Sequence, residues 1–312
     1  MQQFVTVALN GLTLAALYFV VASGFTLIFG LMRVVNMAHG ALYLLGGYIA
    51  LEIQTRWYSS DSGLGLSLSG ASDAEYSVFA WFVPLVLATL IIGVIGVALQ
   101  QIFLRWNQGQ DLRQALITIA CALILADQMQ AWFGATPTAI APPEFLAQPL
   151  PLGVYDLAYP TFRLTMLAAA LVVGLLFWLV YKRTRVGMVV RAGVDDTQMT
   201  SALGVNVQKV FGIAFFVGSA LAGLGGVFAG TSLSLAPGQD QTFLVSALVV
   251  VIVGGMGSLG GAALGALLLG LVDQYSSAYL PAEYSNLSAL LTFVLLAVIL
   301  AVRPTGLFGK IR

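Results

Sequence analysis

Charge is what this 312-residue sequence has least of: Asp, Glu, Lys and Arg together make up 8% of it. A soluble domain carries about 25% charged residues, so the chain cannot cover a water-facing surface. Cysteine is nearly absent too. Cys121 is the only one, which excludes an internal disulfide and argues against redox chemistry. Histidine occurs once, at His39, and with no second His and no Cys beside it a metal site is excluded. One His on a glycine-flanked break cannot carry a Ser–His–Asp arrangement, and paired catalytic acids find no support either. The pattern G-x-x-x-x-G-K-[ST] is missing, so the chain has no P-loop with which to hydrolyse ATP. No Lys or Arg precedes Arg33, so the first apolar run lacks the basic start of a cleaved signal and is expected to stay as a helix. No basic tract points to nucleic acid.

What is there is apolar. Hydrophobic residues make up 59% of the chain, and the stretches 1–32, 76–104, 164–181, 210–239, 241–272 and 284–302 hold no charge at all. A spanning helix needs roughly 18–20 such residues. Lipid cannot satisfy an open sheet edge, so such runs are helices. The 34 glycines do not argue otherwise, because Gly is common in spanning helices. The expected fold is all-α: one polytopic transmembrane domain over 1–312, with about eight membrane segments including broken or hairpin helices.

The few charges are sorted by location. Lys and Arg cluster at Arg105 and Arg113, then at Lys182, Arg183, Arg185, Arg191 and Lys209, and finally at Arg303, Lys310 and Arg312. By the positive-inside rule these stretches are cytoplasmic. The polar stretches 53–75 and 134–162 hold only Arg56 among basic residues but several acids (Asp61, Asp73, Glu75, Glu144, Asp156) and read as external loops. The second, with six prolines from Pro137 to Pro160, reads as irregular. Parity then sets the N-terminus outside and the C-terminus inside, with a last span at about 287–302. Between 232 and 287 the run 241–272 has to go in and come out again. It is long for one span and short for two, and it is interrupted by G-G-M-G-S-L-G-G at 254–261. Two short or half-membrane helices in a hairpin satisfy both constraints. The N-terminal region repeats the texture: a run to about Gly30, a break over 33–40, and a short helix over 41–52. This is read as a degenerate internal repeat, and transporters place solute sites where discontinuous helices of two repeats meet.

The longest soluble segment inside is the connector 182–209, KRTRVGMVVRAGVDDTQMTSALGVNVQK. Asp195 with Gln198 three residues on forms a capping-box pattern, and Gly204 is a helix stop. The short helix between them carries Met199, Ala202 and Leu203 on one apolar face. Two turns are marginal in water alone, so this helix is expected to be ordered by something it packs against, either the protein's own membrane domain or a separate motor subunit.

At this point the residues resemble a known family. T-R-x-G-x-x-x-R-A followed by Asp and A-L-G-V-N, here Thr184, Arg185, Gly187, Arg191, Ala192, Asp195 or Asp196, Ala202, Leu203, Gly204, Val205 and Asn206, is similar to the coupling segment of branched-chain amino-acid ABC permeases. N-G-L-T-L-A-A-L-Y at 10–18, V-N-M-A-H-G at 35–40, G-G-M-G-S-L-G-G at 254–261 and R-P-T-G-L-F-G at 303–309 match in the same order. The resemblance implies a bacterial inner-membrane permease subunit. It would work with two ATP-binding subunits, a second permease chain (a paralogue or an identical copy) and a periplasmic solute-binding protein, with ATP used by those partners and no cofactor bound by this chain. It implies that Arg185, Gly187, Arg191, Asp195, Asp196, Met199, Ala202, Leu203, Gly204 and Asn206 couple to the ATPase. Two departures bear on the solute. Ala41 stands where relatives commonly carry Glu, and Ser246 where many carry Lys, so amides, aromatic compounds and carboxylic acids stay open beside branched-chain amino acids.

The expected translocation-pathway residues are those of the two breaks: Asn36, His39, Ser246, Gly254, Gly255, Gly257 and Ser258. A strongly polar group inside a membrane segment faces a cavity or a partner, so His39 either contacts the pathway or ties the break to freed carbonyls. Arg33 either snorkels to the inner interface or pairs with an acid such as Asp127. An ion-coupled secondary transporter is the alternative function, and it predicts mid-membrane acids. A membrane-embedded enzyme predicts a polar catalytic cluster, for which the sequence has no candidate.

Overall fold

The uncharged runs fold as helices, because each closes its backbone hydrogen bonds within itself. The computed structural model describes residues 1–32, 35–58, 78–151, 158–195, 197–281 and 287–309. Arg33, Asp61, Asp73, Glu75, Asp156 and Asp196 lie outside them. In chain order the helices are α1 (Gln2–Met32), α2 (His39–Tyr58), α3 (Val78–Leu99), α4 (Asp111–Phe133), α5 (Glu144–Ala147), α6 (Thr161–Arg183), α7 (Arg185–Asp195), α8 (Thr197–Ala202), α9 (Val207–Ser232), α10 (Gln239–Gly254), α11 (Leu259–Tyr279) and α12 (Leu287–Val302). A π turn over Gln100–Leu104 and a 3-10 turn over Arg105–Asn107 extend α3. Among the described residues, six helices are long and apolar enough to cross a membrane: α1, α3 with its extension, α4, α6, α9 and α11. The chain is a multi-pass helical membrane protein. Helices α10 and α12 have 16 residues each. At 1.5 Å per residue each falls short of the roughly 30 Å hydrocarbon core.

Helix α1 forms the middle of the molecule, with α9 and α11 packed along it; α9 in turn packs on α2 and α3. Small residues set these distances. A Cβ on Gly226 of α9 would lie 1.8 Å from the Tyr43 carbonyl oxygen of α2, and one on Gly24 of α1 would lie 2.3 Å from the Gly218 carbonyl oxygen. Helix backbones touch here as only small residues permit in lipid, where close van der Waals packing takes over from the hydrophobic effect. Large aromatics fill the space between: Phe25, Tyr43, Tyr48 and Phe215 are fully buried. Trp81 packs against Phe162 and Phe228 and donates its indole N–H to Thr231 Oγ1 at 3.1 Å. Helices α4 and α6 sit outside this core with apolar side chains turned outward, among them Leu116, Leu123, Ile124, Leu171 and Leu175.

The proline-rich stretch 134–162 has more order than its composition predicts. It contains α5 and a two-stranded antiparallel ribbon, β1 (Pro149–Pro151) with β2 (Ala158–Pro160). The stretch is strapped down. Thr138 and Leu235 exchange backbone hydrogen bonds, Ile140 N–H donates to Gly230 O, and Gln54 of α2 bonds both backbone groups of Ala141. These contacts satisfy backbone that has no helix partner, which is why an irregular segment can stay ordered.

Helix α2 also differs from expectation, running over 39–58 and not 41–52. Its first turn is set by Asn36, and its last turn is continued by the Glu52–Arg56 pair at i, i+4.

Candidate functional site: two helix breaks and a cytoplasmic connector

The first break is built from Asn36 and His39. Asn36 Oδ1 accepts from Ala38 N–H at 3.1 Å and its carbonyl accepts from His39 N–H at 3.2 Å, a local side-chain turn that starts α2. The His39 ring is fully buried, stands edge-on to Phe25, and its Nε2 lies 3.0 Å from the Val21 carbonyl oxygen of α1. It therefore donates from Nε2 and holds α2 to the middle of α1. Met37 N–H donates to Thr118 Oγ1 of α4 at 3.2 Å, fixing the break from the other side.

The second break is a glycine junction. Gly255 (φ +99°) and Gly257 (φ +79°) adopt backbone that L side chains rarely take, which ends α10 and turns the chain. Ser258 caps α11, its hydroxyl accepting from Gly261 N–H at 3.1 Å. A Cβ on Gly254 would lie 2.3 Å from the Gly261 carbonyl, so α10 and α11 are in backbone contact where they part. The tail closes the junction: Leu307 N–H donates to Val253 O at 2.9 Å and Phe308 N–H to Gly254 O at 3.0 Å. The last turns of α1 also meet this junction. A Cβ on Gly30, near the end of α1, would lie 3.2 Å from Gly257 Cα. Ser246 stands apart from the junction, half-buried on α10 beside the Tyr18 phenol. So Asn36 with His39, and Gly254, Gly255, Gly257 with Ser258, form two centres: the first packs on the start of α10, where a Cβ on Gly40 would lie 2.1 Å from the Asp240 carbonyl oxygen, the second forms its end, and Ser246 belongs to neither.

Several polar groups near Ser246 gave little sequence signal. Tyr18 donates to Asp273 Oδ2 at 3.1 Å across α1 and α11, and Tyr43 stacks on Phe243 with ring centres 4.3 Å apart. Asp273 is thus bound by a phenol. Asp127 is exposed on α4. No group of three or more His, Cys, Asp or Glu residues that could hold a metal occurs among the described residues.

The connector is two helices where one was expected. Thr184 accepts from Gly187 N–H at 3.2 Å and starts α7, a helix the sequence did not announce because Gly187 and Gly193 read as loop. Gly187 is required by space: a Cβ there would lie 2.4 Å from the carbonyl oxygens of Val180 and Tyr181. Val190 anchors α7 against Leu31, Phe211 and Ala214. Asp195 ends α7 and α8 begins at Thr197, so the helix expected from Asp195 to Gly204 is shortened to Thr197–Ala202. The side chains of Arg185, Arg191 and Asp195 lie outside the described set. Gly204 (φ +85°) stops the chain after α8, and Asn206 caps α9 by accepting from Lys209 N–H at 3.1 Å. Between these fixed ends the apolar face points outward: Met199 is 60% and Leu203 76% exposed, and Ala202 is exposed beside them.

The high-affinity branched-chain amino acid transport system permease protein LivH of Escherichia coli K12 is 28% identical over 306 residues, 96% of this chain and 94% of that protein. BraD of Pseudomonas aeruginosa, named likewise, is 27% identical over the same shares. The autoinducer 2 import system permease protein LsrC of Salmonella paratyphi B is 27% identical over 197 residues, 60% of this chain and 54% of that protein. No solved structure matches. Residues 7–302 match the family described as branched-chain amino acid transport system / permease component, and the chain belongs to that family.

Proposed function

We propose that the chain is the membrane-spanning permease subunit of an ATP-driven importer in the bacterial inner membrane. It carries a small solute inward, a branched-chain amino acid or a related amide, carboxylic or aromatic compound. It has no ATPase site or cofactor of its own, and two ATP-binding subunits supply the energy. A second permease chain and a periplasmic solute-binding protein complete the assembly. The N-terminus lies outside and the C-terminus in the cytoplasm. The translocation path runs by the two helix breaks, with Asn36 and His39 at one and Gly254, Gly255, Gly257 and Ser258 at the other, and past Ser246 on α10.

The observation that carries this reading is the α7–α8 connector. It is anchored by Val190 at one end and the Asn206 cap at the other, yet it turns Met199 and Leu203 to the outside in the most basic stretch of the chain. A fixed apolar knob on a basic cytoplasmic elbow is what an ATPase groove needs in order to push on α6 and α9. Arg185, Gly187, Arg191, Asp195, Asp196, Met199, Ala202, Leu203, Gly204 and Asn206 form or shape that elbow. Leu203→Asp places a charge in the groove at a cost of several kcal/mol if it is buried unpaired. Because Leu203 is exposed in the subunit itself, the variant should insert and fold normally while co-purification of the ATPase and solute-stimulated hydrolysis fall at least about tenfold. A variant that keeps both would remove this element from the transmission path.

A further inference from the structure

A cleft of about 250 Å³ opens between α2, α4 and the start of α10, lined among others by Leu44, Tyr48, Asp127, Gln130, Asp240 and Gln241. Its charged residues are all acidic. Asp240 is only 6% exposed, and among the described residues no Lys or Arg forms an ion pair with it, the one such pair joining Arg56 to Glu52. Tyr48 is 1% exposed, its ring is stacked on Phe133 at 4.6 Å, and its hydroxyl has no hydrogen-bond partner among the described residues. An ionisable group at membrane depth is costly, and such groups mark ligand or ion paths. Asp240 sits in the first turn of α10. A buried carboxylate with no paired cation among the described residues, lining one cleft with a phenol that has no partner among them, suits a positive group that can donate hydrogen bonds.

We propose that this cleft binds the ammonium group of a small solute, with Asp240 as its counter-ion, the Tyr48 hydroxyl as a neutral acceptor and Asp127 raising the cation concentration at the mouth. The assignment rests on the permease reading and adds a solute class: compounds with an ammonium group, above plain carboxylic acids. The cleft holds the volume of several waters, at about 30 Å³ each, and so suits a compact amine. The same chemistry would serve the headgroup of phosphatidylethanolamine, and the test separates the two sources.

The experiment uses the full chain with Cys121→Ser and Gln130→Cys, placed in phosphatidylglycerol nanodiscs. Modification of the new thiol is timed with the ethylammonium and the ethylsulfonate methanethiosulfonate reagents. Relative to a free thiol, the cationic reagent should be favoured by about tenfold, as an unscreened acid within a few ångströms provides. Asp240→Asn should abolish most of that preference. Isobutylamine should protect the thiol, and isovalerate should not. Tyr48→Phe, which keeps the stacked ring, should weaken protection about threefold without changing the reagent ratio; this arm stands even if Asp240→Asn fails to fold. Equal rates for the two reagents, or protection by isovalerate as strong as by the amine, would overturn the proposal. Protection that appears only when phosphatidylethanolamine is added to the discs would overturn the solute assignment in favour of a lipid headgroup. Failure of the permease reading looks different: cells bearing the complete transporter would show no ATP-dependent uptake, while the labelling pattern stood.

Discussion

Two glycines of one helix should respond in opposite ways to the same substitution. Gly226 and Gly212 both lie inside α9 and both are buried. A Cβ on Gly226 would lie 1.8 Å from the Tyr43 carbonyl oxygen, whereas one on Gly212 meets nothing nearer than Gln101 Nε2 at 3.4 Å, where ordinary contact begins. To accept Gly226→Ala, α2 and α9 have to separate by roughly the 1.6 Å between those two distances, and close-packed interiors do not yield that for nothing. Overpacking of this kind costs about 1–3 kcal/mol. Gly212→Ala should gain, since alanine is preferred to glycine inside a helix by up to about 1 kcal/mol, a preference that applies at both positions. The two variants should therefore differ by the overpacking cost, about 1–3 kcal/mol, or roughly 2–6 °C in Tm. Thermal unfolding of detergent-purified protein, followed by loss of the monodisperse size-exclusion peak, measures the difference. A Gly226→Ala protein that melts with or above Gly212→Ala would refute the claim that α2 and α9 are in backbone contact at that point.

The tail and the topology give two further tests. Phe308→Pro removes the N–H that donates to Gly254 and should cost about 1–3 kcal/mol, while Phe308→Ala, at an exposed side chain, should stay within about 0.5 kcal/mol; denaturant-free thermal melts of both separate the bond from the ring. In a Cys121→Ser background, Ala135→Cys should react with an impermeant maleimide added to intact cells and Gln110→Cys should not; labelling at 110 from outside would invert the proposed orientation.

The spans were legible in the sequence because lipid enforces one rule, apolar length, on every membrane helix. The two breaks were legible because uncharged runs were cut by a glycine cluster at 254–261 and by Asn36 and His39. Their geometry was not. Nothing in R-P-T-G-L-F-G announces that residues 307 and 308 bond the carbonyls of 253 and 254, since such pairing depends on how distant segments meet. Helix α7 was missed because its start signal is one hydroxyl, Thr184, and its two glycines read locally as loop. The acidic cleft was hidden for a related reason. Asp240 marks the edge of an uncharged run, where an acid is read as a loop residue, and only the fold puts Tyr48 and Asp127 beside it.

The bonds from the tail to the glycine junction also bear on how the protein is made. When 253 and 254 leave the ribosome, the N–H groups that will satisfy their carbonyls have not been synthesised, and both α11 and α12 must be threaded into the bilayer first. Until then the α10–α11 turn carries exposed acceptors in a poor solvent for them. The junction is thus a late event in biogenesis, and a nascent chain stalled within α12 would present an open, protease-sensitive hairpin to the cell's quality control.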